Sequence, residues 1–239
     1  MRFLPSVLVA ALTLTSCLEI EQTVTLRADG SGTQTMKLTM TERSLAAART
    51  RSAIDATALS DPTKIFDARL VRSELTDAGL VCDKISTSAQ RRSRTLEVDA
   101  EFPGLSALRN SPLSGSGAEW EFAAGKRAGT TVLSFYPRGK AAWKSAREKV
   151  AKMPADPSDR ENEYFAHAKK QMRGLEIRWT LDLPGDVISH SKNLTKPSDR
   201  RVSITIDESD IENARDLVLQ LAPRFQVVFD SRKCTFTAD

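Results

Sequence analysis

The chain has 239 residues, 40% hydrophobic and 28% charged, a composition too charged for a polytopic membrane protein and too apolar for a disordered one. Its 35 basic and 31 acidic residues leave a net charge of +4, too weak and dispersed to mark a nucleic-acid-binding face. Three cysteines and two histidines leave little for a metal site or a Cys/His catalytic system, and no cofactor is expected. There is also no phosphate loop, no Gly-x-Ser-x-Gly, no dinucleotide fingerprint and no His-Glu-x-x-His.

Met1 and Arg2 precede a mostly apolar stretch from Phe3 to Leu14, the pattern of a secretory signal. The stretch is too short to remain in a ~30 Å hydrocarbon layer as a spanning helix. Leu14-Thr15-Ser16-Cys17 resembles the bacterial lipobox: a branched aliphatic residue, two small residues and a cysteine. The resemblance implies a signal peptide of 1–16, lipidation of Cys17 and a single lipid-anchored extracytoplasmic domain over 17–239. Leu18, not aspartate, follows the cysteine, so the sorting rule for such lipoproteins implies the outer membrane where the envelope has one. Several acyl chains on one cysteine anchor firmly, at ~0.8 kcal/mol per buried CH₂.

The mature chain opens with a hairpin pattern. Ile20, Val24 and Leu26 alternate with polar residues, Gln22 interrupts the apolar row, and Asp29-Gly30-Ser31-Gly32 supplies the turn before Met36, Leu38 and Met40. A helix is expected over 42–57, and another from Ser60-Asp61-Pro62 to Gly79. Strands follow at Leu80–Cys82 and Leu96–Phe102, the second with Arg91-Arg92-x-Arg94 as a charged hairpin turn before it. A Pro/Gly/Ser loop over 103–117 carries one helical turn at Leu105–Arg109, and Trp120 and Phe122 then pair with Thr131–Tyr136 through a turn at Gly125.

Trp143, Ala146, Val150 and Met153, then Phe165, Ala168 and Met172, fall at helical spacing on either side of Pro154 and Pro157. Leu175, Ile177, Trp179, Leu181 and Leu183 alternate without exception, and Val202, Ile204 and Ile206 form another strand. A last helix is expected from Ser209 or Asp210 to Leu221, before strand-like runs at Phe225–Phe229 and Cys234–Phe236. One-sided alternation in nearly every strand means one face of a sheet is buried and the other wet. The expected fold is therefore α+β: a mostly antiparallel sheet with amphipathic helices packed on one face, in two layers.

Chemistry is sparse. His167 falls on a helix among charged and alanine positions and His190 in a polar loop, neither placed as a catalytic base. Carboxylates such as Glu97 with Asp99 and Glu176 with Asp182 sit on outward strand faces, where solvation is the ordinary reading; a glycosidase-like pair from separate segments is the alternative. Cys82 and Cys234 remain once Cys17 is an anchor. Outside the cytosol an even pair reads first as a disulfide, with two separate buried thiols as the alternative. Trp120, Trp143 and Trp179 are either core or the lining of an apolar cavity. Arg138, Lys140, Lys144, Arg147, Lys149 and Lys152 form a basic amphipathic helix, either a solvated face or a contact for anionic lipid or acidic wall polymers.

The lipobox cysteine, the early strand into Asp29-Gly30-Ser31-Gly32 and the late segment Leu181-Asp182-Leu183-Pro184-Gly185-Asp186-Val187 resemble the LppM-like envelope lipoproteins. In that pattern the polar loop after Leu-Pro-Gly carries an asparagine, here Asn193, although no apolar helix follows the domain near the C-terminus. The resemblance implies a lipid-anchored α+β domain with a lipid or glycolipid cavity and no established catalysis. Together these readings predict a non-enzymatic envelope lipoprotein, tethered to the membrane, that binds a lipid, a glycan or an envelope protein. A scaffold using a sheet edge or the basic helix is the alternative, and an envelope hydrolase using carboxylates a more distant one.

Overall fold

The computed structural model describes residues 18–46, 62–115, 117–154 and 157–237. The signal segment and Cys17 lie outside the described residues. Eleven strands form among those described: β1 (Leu18–Leu26), β2 (Gly32–Thr41), β3 (Val81–Gln90), β4 (Ser93–Phe102), β5 (Glu119–Ala124), β6 (Thr130–Tyr136), β7 (Leu175–Asp182), β8 (Val187–His190), β9 (Thr195–Ser198), β10 (Arg201–Asp207) and β11 (Phe225–Asp230). They make a seven-stranded sheet in the order β3-β4-β2-β1-β7-β10-β9 and a four-stranded sheet in the order β5-β6-β11-β8. Every pairing is antiparallel except β1 with β7. The α+β class and antiparallel character are as read from the sequence; the division into two sheets is not.

The large sheet buries the expected side. Leu18, Ile20, Val24 and Leu26 of β1, Leu38 and Met40 of β2, Leu96 and Val98 of β4 and Val202 and Ile206 of β10 are all buried. Glu19, Glu21 and Lys37 alternate on the other face and are exposed. Two different layers cover the buried side. Over β1 and β7 lies the small sheet: Trp179 of β7 stacks on Phe135 of β6 at 5.4 Å and on Phe225 of β11 at 5.1 Å between ring centroids. At the other end α1 (Ala68–Asp77) packs on β3, and α2 (Leu105–Asn110) packs on β4 and β5. Val71, Leu75 and Leu108 enter the shared core there.

Local signals explain the helix boundaries. The expected helix at 42–57 is seen over 42–46, started by Thr41 Oγ1, which accepts from the Ser44 amide at 3.2 Å; its remainder lies outside the described residues. Pro62–Phe66 is a separate 3₁₀ turn, Asp67 caps α1 by accepting from the amides of Arg69 and Leu70, and the expected caps Ser60 and Asp61 lie outside the described residues. Gly79, at φ +82°, ends that helical stretch as read. The helices α3 (Lys140–Lys152) and α4 (Asp159–Gln171) straddle the proline break, and Ser158 and Glu161 form a capping box on α4. The last helix, α5 (Ala214–Leu221), begins later than expected because Asn213 and Asp216 form its capping box. Ser209 and Asp210 belong instead to a 3₁₀ turn.

One expectation near the C-terminus is corrected. Cys234–Phe236 is not a strand: the segment hangs on the first hairpin, the Thr235 amide donating to Ala28 O at 2.8 Å and Phe236 meeting Phe122 edge-on. Cys82 and Cys234, expected first as a disulfide with two separate thiols as the alternative, are free thiols in this structure. Cys82 turns to the Lys84 carbonyl of its own edge strand, while the Cys234 amide bonds Ser231 in the tail. Burial pushes both thiols above their ordinary pKa, which keeps them protonated and unreactive near neutral pH.

Candidate functional site

The inner face of β1, β7 and β10 is not fully closed by the small sheet. Ile177 occupies an inward position of β7, between buried Leu175 and Trp179, yet it is only partly buried against the core. An apolar cavity of about 80 Å³ opens over it. Its floor is Phe135, Trp179 and Phe225, its wall along β1 is Leu18, Ile20 and Gln22, and its half-exposed rim includes Pro137, Arg138, Gln220, Leu221 and Pro223. The rim residues come from the link between β6 and α3 and from the end of α5, so the α3/α5 pair frames the opening.

A buried polar network holds the deep end. Gln22, the residue that broke the apolar row of β1, donates through Nε2 to Leu113 O at 2.7 Å. Gln34, fully buried, accepts from Ser111 Oγ at 2.5 Å and donates to Ser114 Oγ at 3.4 Å. Ser114 Oγ also accepts from Trp120 Nε1 at 3.0 Å. The inward glutamines therefore tie the 111–114 segment to the sheet, satisfying groups whose burial without partners costs ~1–3 kcal/mol each. Trp179 Nε1 is the exception: it is the one buried side-chain nitrogen or oxygen, among the described residues, that has no partner.

The three tryptophans divide accordingly. Trp120 and Trp179 are buried, with Trp179 lining the cavity, whereas Trp143 is half-buried on α3 outside it. Trp143 packs on Tyr136 at 5.7 Å and lies under two guanidinium groups, Arg147 at 5.5 Å and Arg224 at 4.7 Å from its ring centroid.

The structure splits the basic run. At 100° per residue, Lys140, Lys144 and Arg147 share a stripe of about 60°, while Lys149 and Lys152 turn to other flanks of α3. Lys140 is neutralised, its Nζ 2.6 Å from Glu121 Oε1, and this hydrogen bond raises its pKa further. Arg138, Lys144, Arg147, Lys149, Lys152 and Arg224 have no carboxylate within 4 Å among the described residues, in contrast to paired cations of the sheets such as Arg27 and Arg201. Arg224 joins this group although its sequence neighbours carry no charge signal, so periodicity alone did not reach it.

No carboxylate pair lines the cavity. Glu97 is shared by Lys37 and Lys84, Glu176 pairs with Arg178, and Asp182 accepts both Nε and Nη2 of Arg201 at 2.6 and 2.9 Å. Glu176 and Asp182 stand six residues apart on one strand, ~20 Å. His167 and His190 are exposed on α4 and β8. Asn193 is structural: it accepts from Ser191 Oγ and donates to Arg224 O, fixing the start of β11. Among the described residues no helix is long and apolar enough to cross a membrane.

Neither a family model nor a curated protein matches the sequence. Among solved structures the chain is similar to the folded domain of Mycobacterium tuberculosis LppM, determined by NMR, with a TM-score of 0.42, 8% identity and 91% of each chain covered.

Proposed function

We propose that this chain is a lipid-anchored envelope domain that binds without catalysis, taking the apolar end of a lipidic ligand into the cavity between its sheets. The observation that carries the reading is Ile177: a core position on the most regular strand of the chain is left open to an apolar cavity. Exposing such a side chain forgoes ~25 cal/mol per Å² of burial, a cost that a bound apolar chain removes. At about 80 Å³, the cavity is roughly half the ~150 Å³ of an engineered cavity that holds benzene. That size suits the tip of one acyl chain and excludes a whole diacyl lipid. The lipobox supports the address, and the absence of paired carboxylates in the cavity lining supports binding over turnover.

The test uses the membrane-derived protein in lipid nanodiscs with dansyl-undecanoic acid, read by energy transfer from tryptophan. Binding is expected, and Ile177→Phe, which fills the open position, is expected to weaken it about tenfold, as loss of ~1.4 kcal/mol of apolar contact would. No transfer above that of empty discs, or an unaffected variant, overturns the reading. Intact mass tests the anchor: an unmodified Cys17 removes it.

A second reading rests on β3. This ten-residue strand is an edge of the large sheet, its outer side is exposed, and Val81 is 59% accessible. Such an edge admits strand addition by a partner, the scaffold role; recovery of a stoichiometric protein from native membranes, lost on Ser86→Pro, favours it.

A further inference from the structure

Beside the cavity rim lies a group of cations that no carboxylate neutralises among the described residues. Arg138 is itself on the rim, and Arg224 follows the rim residue Pro223. Arg147 and Arg224 lie over the Trp143 ring, and Lys144 sits on the same stripe of α3 as Arg147. None of the four has a carboxylate within 4 Å among the described residues, and Trp143, under Arg147 and Arg224, is half-buried. Guanidinium groups held on an aromatic face keep their N–H edges free for oxygen anions. A half-buried tryptophan also suits a boundary between water and hydrocarbon.

The expected anchor at Cys17 sets which anion source is near. Leu18 lines the same cavity and is locked from its first residue between Met40 of β2 and Leu175 of β7. Cys17 is one peptide bond away, ~3.8 Å between Cα atoms. No spacer separates the predicted anchor from the folded body, so the rim stands near the headgroups.

We infer that Arg138 on the cavity rim, Lys144 on α3, and Arg147 and Arg224 over Trp143 dock on anionic lipid headgroups, so that the cavity opens directly onto the bilayer. This rests on the lipid-anchored reading above. It adds the membrane-facing surface and a path by which an apolar chain enters the cavity without crossing water. Acidic wall polymer is the competing anion, disfavoured because an anchored rim meets the bilayer first.

The experiment is hydrogen exchange of the acylated protein in nanodiscs of phosphatidylcholine, with and without phosphatidylglycerol. Peptides covering 137–147 and 219–225 are expected to exchange about fivefold slower on the anionic discs, the effect of one cation at an anionic surface. The protection is expected to fade between ~0.1 and ~1 M salt as the Debye length falls from ~10 to ~3 Å. The paired variant Arg147→Glu/Arg224→Glu is expected to abolish it, and Arg138→Glu/Lys144→Glu, more peripheral to packing, gives an independent reading. Equal exchange on both discs, or protection by soluble polygalacturonate in its place, overturns the docking surface. Dansyl-undecanoate binding by the same samples separates the two claims: retained probe binding without anionic protection removes the surface and keeps the cavity, and the reverse removes the cavity alone.

Discussion

At the scale of single residues, the two core tryptophans make opposite use of the same atom. Trp120 Nε1 donates to Ser114 Oγ at 3.0 Å, inside the network that holds the 111–114 segment. Trp179 Nε1 is buried with no partner, although its ring is the centre of the aromatic stack joining the sheets. Trp179→Phe removes an unsatisfied donor and keeps a ring, so its change in unfolding free energy is expected to stay below ~1 kcal/mol. Trp120→Phe takes a partner from Ser114 and is expected to cost ~1–2 kcal/mol. Urea unfolding of the two variants side by side checks this, and equal losses contradict it. Nothing in the sequence distinguishes the two residues, because both sit on strands at inward positions; the hydroxyl that satisfies one belongs to a loop whose course is set by tertiary contacts.

At the scale of elements, hairpins were legible and short exposed strands were not. The β1–β2 hairpin appeared with its turn because alternation and the Asp29-Gly30-Ser31-Gly32 signal agree; Asp29 Oδ1 accepts from the Ser31 amide at 2.9 Å and Gly30 sits at φ +85°. β8 and β9 escaped notice because seven of their eight positions are exposed, which leaves no apolar period to read. The basic run on α3 was visible as composition, whereas its division into flanks, and the arrival of Arg224, depended on packing. Gly32 holds the hairpin for a reason that turn chemistry alone does not give: a Cβ there would stand 1.9 Å from Thr25 O and 2.4 Å from Phe102 Cζ. Gly32→Ala must therefore spread β1 from β2 or displace a core ring, a cost of at least ~1–3 kcal/mol. At roughly 2–4 °C of Tm per kcal/mol for a chain of this size, a fall of several degrees is expected in calorimetry, and an unchanged Tm refutes the close approach.

At the scale of the whole molecule, alternation reveals which side of a strand is buried but not what buries it. The sequence therefore supported one helix-covered sheet, and the structure covers half of that sheet with a second one. The cavity follows from that arrangement, since a four-stranded sheet with an α3/α5 flank leaves the inner face open at Ile177. Chain order then bears on stability. After α4 the chain runs from β7 in the large sheet to β8 in the small one, back to β9 and β10, and again to β11. Neither sheet is a continuous stretch of chain, and Trp179 of one stacks directly on Phe135 and Phe225 of the other. Separate unfolding of the sheets would tear the β7–β11 region, stripping two or three of its five strands of their partners. A single cooperative transition is expected, with near-ultraviolet and far-ultraviolet dichroism giving coincident urea midpoints. Trp179→Ala, which removes the shared stack at a cost of ~3–5 kcal/mol, is expected to lower both midpoints together. Midpoints that part in the native chain, or a variant that shifts only one, would show that the two sheets are independent folding units sharing a boundary, and the cavity between them would then be a hinge.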